Sequence, residues 1–198
     1  RGEPQHLTPK EVKKLLLGVQ GWEYEPVVVC GVWMGLRRCE ACGLQWGDIN
    51  LKTGLVHIRR GLQYIKGQVV ETGVKTHRSM RPHMLPRTGV MRMREIKRER
   101  RARPTDWIMG VEFGVDVNPD RYARRLRAFC KREGMAHVAP KYFRHTFSTN
   151  HDRAGTKDEY IQKMMGHEEF QTTYRYMSLD EDVLREAQRA HERLILRA

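Results

Sequence analysis

The sequence predicts an α+β domain, mostly helical, with a small antiparallel three-stranded sheet. Three observations predict it. Helix-start signals and amphipathic spacing recur along most of the chain. Between about residues 54 and 85 the apolar spacing changes to alternation, with β-branched residues and a Lys66-Gly67 turn. Finally, 198 residues suffice to bury one core but are cramped for two, although 31% of them are charged.

The elements follow in order. Thr8-Pro9-Lys10-Glu11 is a strong helix start, with Thr8 as N-cap, Pro9 at the first helical position and Glu11 closing a capping box; the helix should run to about Leu17. Residues 25 to 34, which include PVVVCGVWM, are apolar nearly all round and suit a buried helix. Gly35 breaks the chain, and a second helix is expected from near Arg38 to about Trp46. LVHIRRGLQYI, QVVE and RSMRPHML then supply three strands. Residues 88–103 and 119–133 read as basic amphipathic helices, and 110–118 as a loop. Further helices fit 140–154, 157–165 and 180–196. No internal repeat or low-complexity tract interrupts this pattern.

Charge narrows the function. Against 24 acidic residues stand 37 basic ones, a net charge of +13 and a pI of about 9.9, the footprint of a nucleic-acid binder that ribosomal and membrane-surface proteins share. Acidic residues are scarce in the two basic helices, which leaves their arginines, Arg121, Arg124 and Arg125 among them, available for phosphates. No apolar run approaches the roughly 20 residues needed to cross a bilayer and no signal peptide opens the chain, so a soluble, cytoplasmic protein without a membrane partner is expected. Cys30, Cys39, Cys42 and Cys130 are too irregular for a disulfide framework. The C-x-x-C of Cys39 and Cys42 lacks a second ligand pair for zinc.

Four separated pieces carry chemistry. They are GLRRCEACGLQWGDINL (35–51), VKTHRSMRPHMLP (74–86), KYFRH (141–145) and MGHEEFQTTYRYMSL (165–179). Lys141 and Arg144, three apart, share a helical face and can grip one anion together, while His145 points elsewhere. In this order, with the K-x-x-R-H box, a Gly-His and a T-T-x-x-Y ending nine residues past His167, the pieces resemble the tyrosine recombinase family, phage and conjugative-element integrases especially. The resemblance spans roughly Leu7 to Leu179.

It implies the tyrosine recombinase catalytic-domain fold: a single domain over 1–198, with its core at about 7–179 and a helical tail at 180–198. Because the chain opens on Arg1 rather than methionine, it is expected to be part of a longer protein, here without the family's N-terminal core-binding domain. The implied activity is site-specific DNA recombination or integration, by metal-independent strand cleavage and rejoining through a 3′-phosphotyrosyl intermediate. No cofactor is implied, and the sequence offers no carboxylate cluster of the kind that binds Mg²⁺ in two-metal nucleases. Expected partners are duplex DNA, further copies of the chain assembled as a tetramer on it, and accessory directionality proteins.

Residue by residue, Tyr176 resembles the nucleophile. Tyr174, two residues away on another face of a helix, is the rival. Arg37 and Arg144 look like the two arginines that clamp the non-bridging phosphate oxygens, because a guanidinium is permanently charged and forked. Arg38 is then a DNA contact, and Glu40 an acid orienting the cations from behind. Lys75 resembles the general acid for the 5′ oxygen, with Lys66 and His77 as rivals, and His167 the histidine that bonds the phosphate. Lys141 departs from the commonest pattern, which has histidine; a charged lysine donates to phosphate but accepts no proton from Tyr176. His145 reads as a supporting residue, and His137 and His151 as surface or packing residues. Rival readings are a type IB topoisomerase or resolvase-like strand transferase, a non-catalytic DNA-binding module of the same fold, and a basic RNA-binding protein.

Overall fold

The computed structural model describes residues 6–73, 82–111, 114, 116–135, 138–165 and 180–198. Its helices are α1 (Pro9–Gly18), α2 (Glu25–Met34), α3 (Arg38–Cys42), α4 (Arg87–Glu99), α5 (Pro119–Arg132), α6 (Pro140–Arg153), α7 (Asp158–Met165) and α8 (Glu181–Arg197). Its strands are β1 (Leu55–His57), β2 (Arg60–Ile65), β3 (Gln68–Gly73) and β4 (Pro82–Met84). Among the described residues no helix is long and apolar enough to cross a membrane.

Local signals act where the sequence places them. Thr8 Oγ1 accepts from the Glu11 amide at 3.3 Å, and Glu11 Oε2 accepts from the Thr8 amide at 2.8 Å. All ten residues of α2 are buried, as a helix apolar on every side requires. It ends at Gly35 in the left-handed region (φ 59°), where a Cβ would lie 2.6 Å from the Phe147 ring of α6. One and a bit turns earlier, a Cβ on Gly31 would meet Phe143 at 2.9 Å. Missing side chains on α2 thus let α6 approach closely, and that approach carries α6 to the segment that follows Gly35.

Three expectations are corrected. The helix from Arg38 stops at Cys42 rather than Trp46, because β2 crosses there: a Cβ on Gly43 would sit 2.6 Å from the Arg60 carbonyl oxygen. A 3-10 turn, Trp46–Asp48, takes up the remainder. Among the described residues the strands form two antiparallel ladders of two, β1 with β4 and β2 with β3, where one sheet of three was expected. Asp48, nearly buried, ion-pairs with Arg59 at 3.4 Å and Arg60 at 2.7 Å and so pins the chain between β1 and β2. At the far end of the second ladder Lys66 (φ 49°) and Gly67 (φ 84°) make the two-residue turn with both centres left-handed.

The third correction concerns charge. Helix α4 ends at Glu99 instead of residue 103, and Arg100 turns back to donate to the carbonyls of Trp22 and Glu23 at 3.3 and 2.8 Å. Arg92 grips Glu25, which is 1% exposed, with both forks at 2.5 and 2.9 Å. Acidic residues are sparse inside α4, yet loops and α2 supply partners from far along the chain. The charges of Arg92 in α4 and of Arg100 just after it therefore serve the fold.

The main core gathers around α2 and includes Tyr24, Trp46, Tyr122 and Phe143; a smaller cluster of Met84, Phe147, Ile161, Met164, Met165, Leu184 and Ala187 joins α6, α7 and α8. At the α6–α8 contact His151 and His191 are fully buried with ring centroids 4.4 Å apart, so His151 is a packing residue. Burial lowers both imidazoles, His151 well below its ordinary value with the His191 charge adding to the effect, and His191 to about 3. Both rings stay neutral when folded but gain protons near 6.5 when unfolded. Stability is therefore intact above about pH 6.5 and falls as pH drops below it, by up to about 1.4 kcal/mol per pH unit for each ring. Melting temperatures from pH 7.5 to 4 should show this slope, and His191→Phe should flatten it. An unchanged slope in that variant would assign the acid sensitivity elsewhere.

Candidate active site

The segment after α2 and the first turns of α6 meet at a cleft of about 530 Å³. Arg37 precedes α3 with extended backbone (φ −62°, ψ 149°). Its amide donates to Glu40 Oε2 at 2.8 Å and its Nη1 to Glu40 Oε1 at 2.8 Å. One carboxylate, 7% exposed, thus holds both ends of the arginine. The Arg37 side chain remains 48% exposed, with its outer face toward the cleft.

Arg144 reaches the same cleft from α6. Its Nη1 donates to the Gly35 carbonyl at 3.2 Å and its Nη2 to the Met165 carbonyl at the end of α7. Lys141, one turn earlier, lines the cleft and lies over the Tyr142 ring at 4.8 Å. Residues separated by more than a hundred positions in sequence therefore present three cations to one space.

Arg38 and Arg127 complete its basic wall. Both also line a neighbouring cleft of about 450 Å³ with Arg121, Arg124 and Tyr64. Arg127 counted in the sequence only as one of the basic residues of this helix, not as a site residue; its spacing of three from Arg124 along α5 was the available signal. Arg38 pairs with Asp120 at 2.7 Å across a half-exposed surface, an interaction worth little in water and easily exchanged for phosphate. Arg125 does not line either cleft: it pairs with Glu23 at 2.7 Å and faces Tyr24. His145 is exposed on α6 and is not part of the cleft wall. Lys66 sits at the hairpin tip. Lys75, His77, His137, His167, Tyr174 and Tyr176 lie outside the described residues.

The phage integrase family model matches residues 5–182. The chain belongs to the phage integrase family. Among curated relatives, it is 27% identical over 160 residues to tyrosine recombinase XerC of Corynebacterium glutamicum, covering 80% of this chain and 48% of that one. It is 24% identical over 194 residues to tyrosine recombinase XerA of Pyrococcus horikoshii, covering 93% and 60%. The chain thus spans about half to three fifths of these integrase-family relatives. Of solved structures, the Tn1549 transposon integrase in complex with transposon right end DNA superposes with a TM-score of 0.68 at 20% identity, over 96% of this chain and 66% of that one. The XerA recombinase crystal structure superposes at 0.69 and 23%, over 96% and 65%. These structures share the mostly helical integrase-family fold.

Within that fold the cleft suits an anionic tetrahedral group. Two guanidinium groups held by carboxylate and carbonyl partners and the Lys141 ammonium line one space. Among the described residues no three His, Cys, Asp or Glu side chains are placed to hold a metal ion.

Proposed function

We propose that this chain is the catalytic domain of a site-specific DNA recombinase, which breaks and rejoins duplex DNA through a 3′-phosphotyrosyl intermediate at Tyr176. The observation that carries the reading is the convergence of Arg37, Lys141 and Arg144 on one cleft. A phosphodiester holds one negative charge and gains more as it becomes pentacoordinate, so rigid cations stabilise the transition state beyond the ground state.

In this reading the Tyr176 oxygen forms a bond to phosphorus as the bond to the 5′ oxygen breaks. Lys75 gives its proton to the departing oxygen, and His167 and Lys141 donate to non-bridging oxygens. The Tyr176 phenol needs surrounding positive charge, since its ordinary pKa of about 10 makes it a poor nucleophile at neutral pH. Its proton leaves to an acceptor other than charged Lys141. Arg38, Arg121, Arg124 and Arg127 track the flanking phosphates, which implies duplex binding that weakens steeply with salt. Assembly of several copies on the DNA, accessory directionality proteins and a place in the cytoplasm beside the chromosome belong to the same reading.

Incubation with a randomised pool of nicked suicide duplexes, followed by denaturing electrophoresis, tests it. The wild type should give a protein-DNA adduct and Tyr176→Phe none, with DNA binding retained in both. An adduct from the variant would remove Tyr176 from the role. Binding without any adduct in a full-length protein would overturn the reading.

A further inference from the structure

A larger cleft, about 730 Å³, opens where residues 52 and 53, β4, the first turns of α4 and helix α8 meet, and it shares no lining residue with the candidate active site. Its rim carries Lys52, Arg87, Arg94, Arg185, Arg189 and Arg193 against one carboxylate, Glu192. That carboxylate is already engaged: Glu192 Oε1 accepts from the Thr88 amide at 2.7 Å and the Thr88 hydroxyl at 2.6 Å. Arg185 also pairs with Glu181 at 3.9 Å, and even so the six cations outnumber the carboxylates beside them.

Two of them are held in place. Arg94 Nε donates to the Leu51 carbonyl at 2.8 Å and Arg185 Nη1 to the Thr53 carbonyl at 3.4 Å, while Arg185 Nη2 makes the Glu181 pair, so part of the ordering cost of both side chains is already met. Beneath the cations Met84, Leu85 and Val90 are already buried, and Met91, 50% exposed, is the aliphatic side chain that the cleft leaves open.

Shape and chemistry together select the occupant. A duplex presents phosphates alone to the cations and leaves Met91 uncovered. A polypeptide carrying carboxylates beside aliphatic or aromatic groups meets the cations and covers Met91 at once. Glu192 against Thr88 is an internal example of a carboxylate seated in this wall. We propose that this cleft docks an acidic amphipathic segment of a partner protein. The inference is independent of the strand-transfer reading, because its residues are disjoint from those of the other cleft.

The test is selection of displayed random 16-residue peptides on the wild-type chain, with counter-selection on Arg189→Glu/Arg193→Glu. Both arginines are exposed on α8. Enriched peptides should combine Asp or Glu with apolar residues at helical spacing, and fluorescence anisotropy should show at least a tenfold loss of affinity in the double variant. Arg189→Gln/Arg193→Gln, which removes charge without reversing it, should show an intermediate loss and guards against misfolding. The proposal is overturned if no peptide distinguishes wild type from variant, or if the enriched peptides lack acidic residues. It is equally overturned if the variants lose duplex DNA binding while peptide binding persists, since the rim would then be a phosphate track.

Discussion

Arg144→Lys is expected to slow covalent adduct formation by about 100- to 1,000-fold while leaving duplex affinity within a few-fold of wild type. The asymmetry comes from geometry. Arg144 lines the cleft with one N–H on the Gly35 carbonyl and another on the Met165 carbonyl, so its guanidinium is held from two sides. Lysine keeps the charge, so ground-state attraction to the polyanion changes little. It cannot hold two carbonyls and a phosphate oxygen together, so the stabilisation specific to the pentacoordinate state is lost. Single-turnover cleavage of a suicide duplex, beside binding measured at two salt concentrations, separates the two effects. A rate within threefold of wild type would sink the assigned role. A parallel fall in rate and binding would point to a general loss of structure, which the melting temperature would reveal.

The largest stability effect is expected at a site remote from both clefts. Arg92→Leu should destabilise the domain by about 3–5 kcal/mol, because it strips the guanidinium from the buried Glu25 carboxylate and leaves it hydrogen-bonded to the Gly21 amide, 2.8 Å away. At roughly 2–4 °C per kcal/mol for a chain of this size, the melting temperature should drop by about 6–20 °C. Adding Glu25→Gln removes the orphaned charge and retains an acceptor for Gly21, so the double variant should recover a good part of the loss. If the double variant melts no higher than Arg92→Leu alone, lost packing of the arginine stem, rather than an unpaired carboxylate, sets the cost.

These two arginines also show how far the sequence can be read. Arg37 and Arg144 were legible because each sits in a short phrase whose neighbours and spacing resemble a family. Lys141 joined them through a helical offset of three. Arg92 has local pairs in Glu95 and Glu99, but nothing local marks Arg92 or Arg100 as structural: Glu25, Trp22 and Glu23, which they hold, lie 67 to 78 positions away, and no periodicity reports such pairs. The same limit hid the exchange between Arg125 and Glu23, and the wall position of Arg127. It also hid the division of the strands into two ladders, which turns on Asp48 reaching Arg59 and Arg60.

By itself the sequence determined what depends on neighbours within a turn or two: the Thr8 and Glu11 cap, the buried character of α2, the Lys66-Gly67 hairpin, the basic α+β class and the order of the family-like phrases. Tertiary structure alone decided which cations face a cleft and which are consumed by the fold, and that His151 and His191 meet in the core. The physical reason is range. Caps, turns and helix faces are set by hydrogen bonds and spacing over a few residues, whereas pairing and burial of charge are set by contacts that exist only after α2, α6 and α8 have packed.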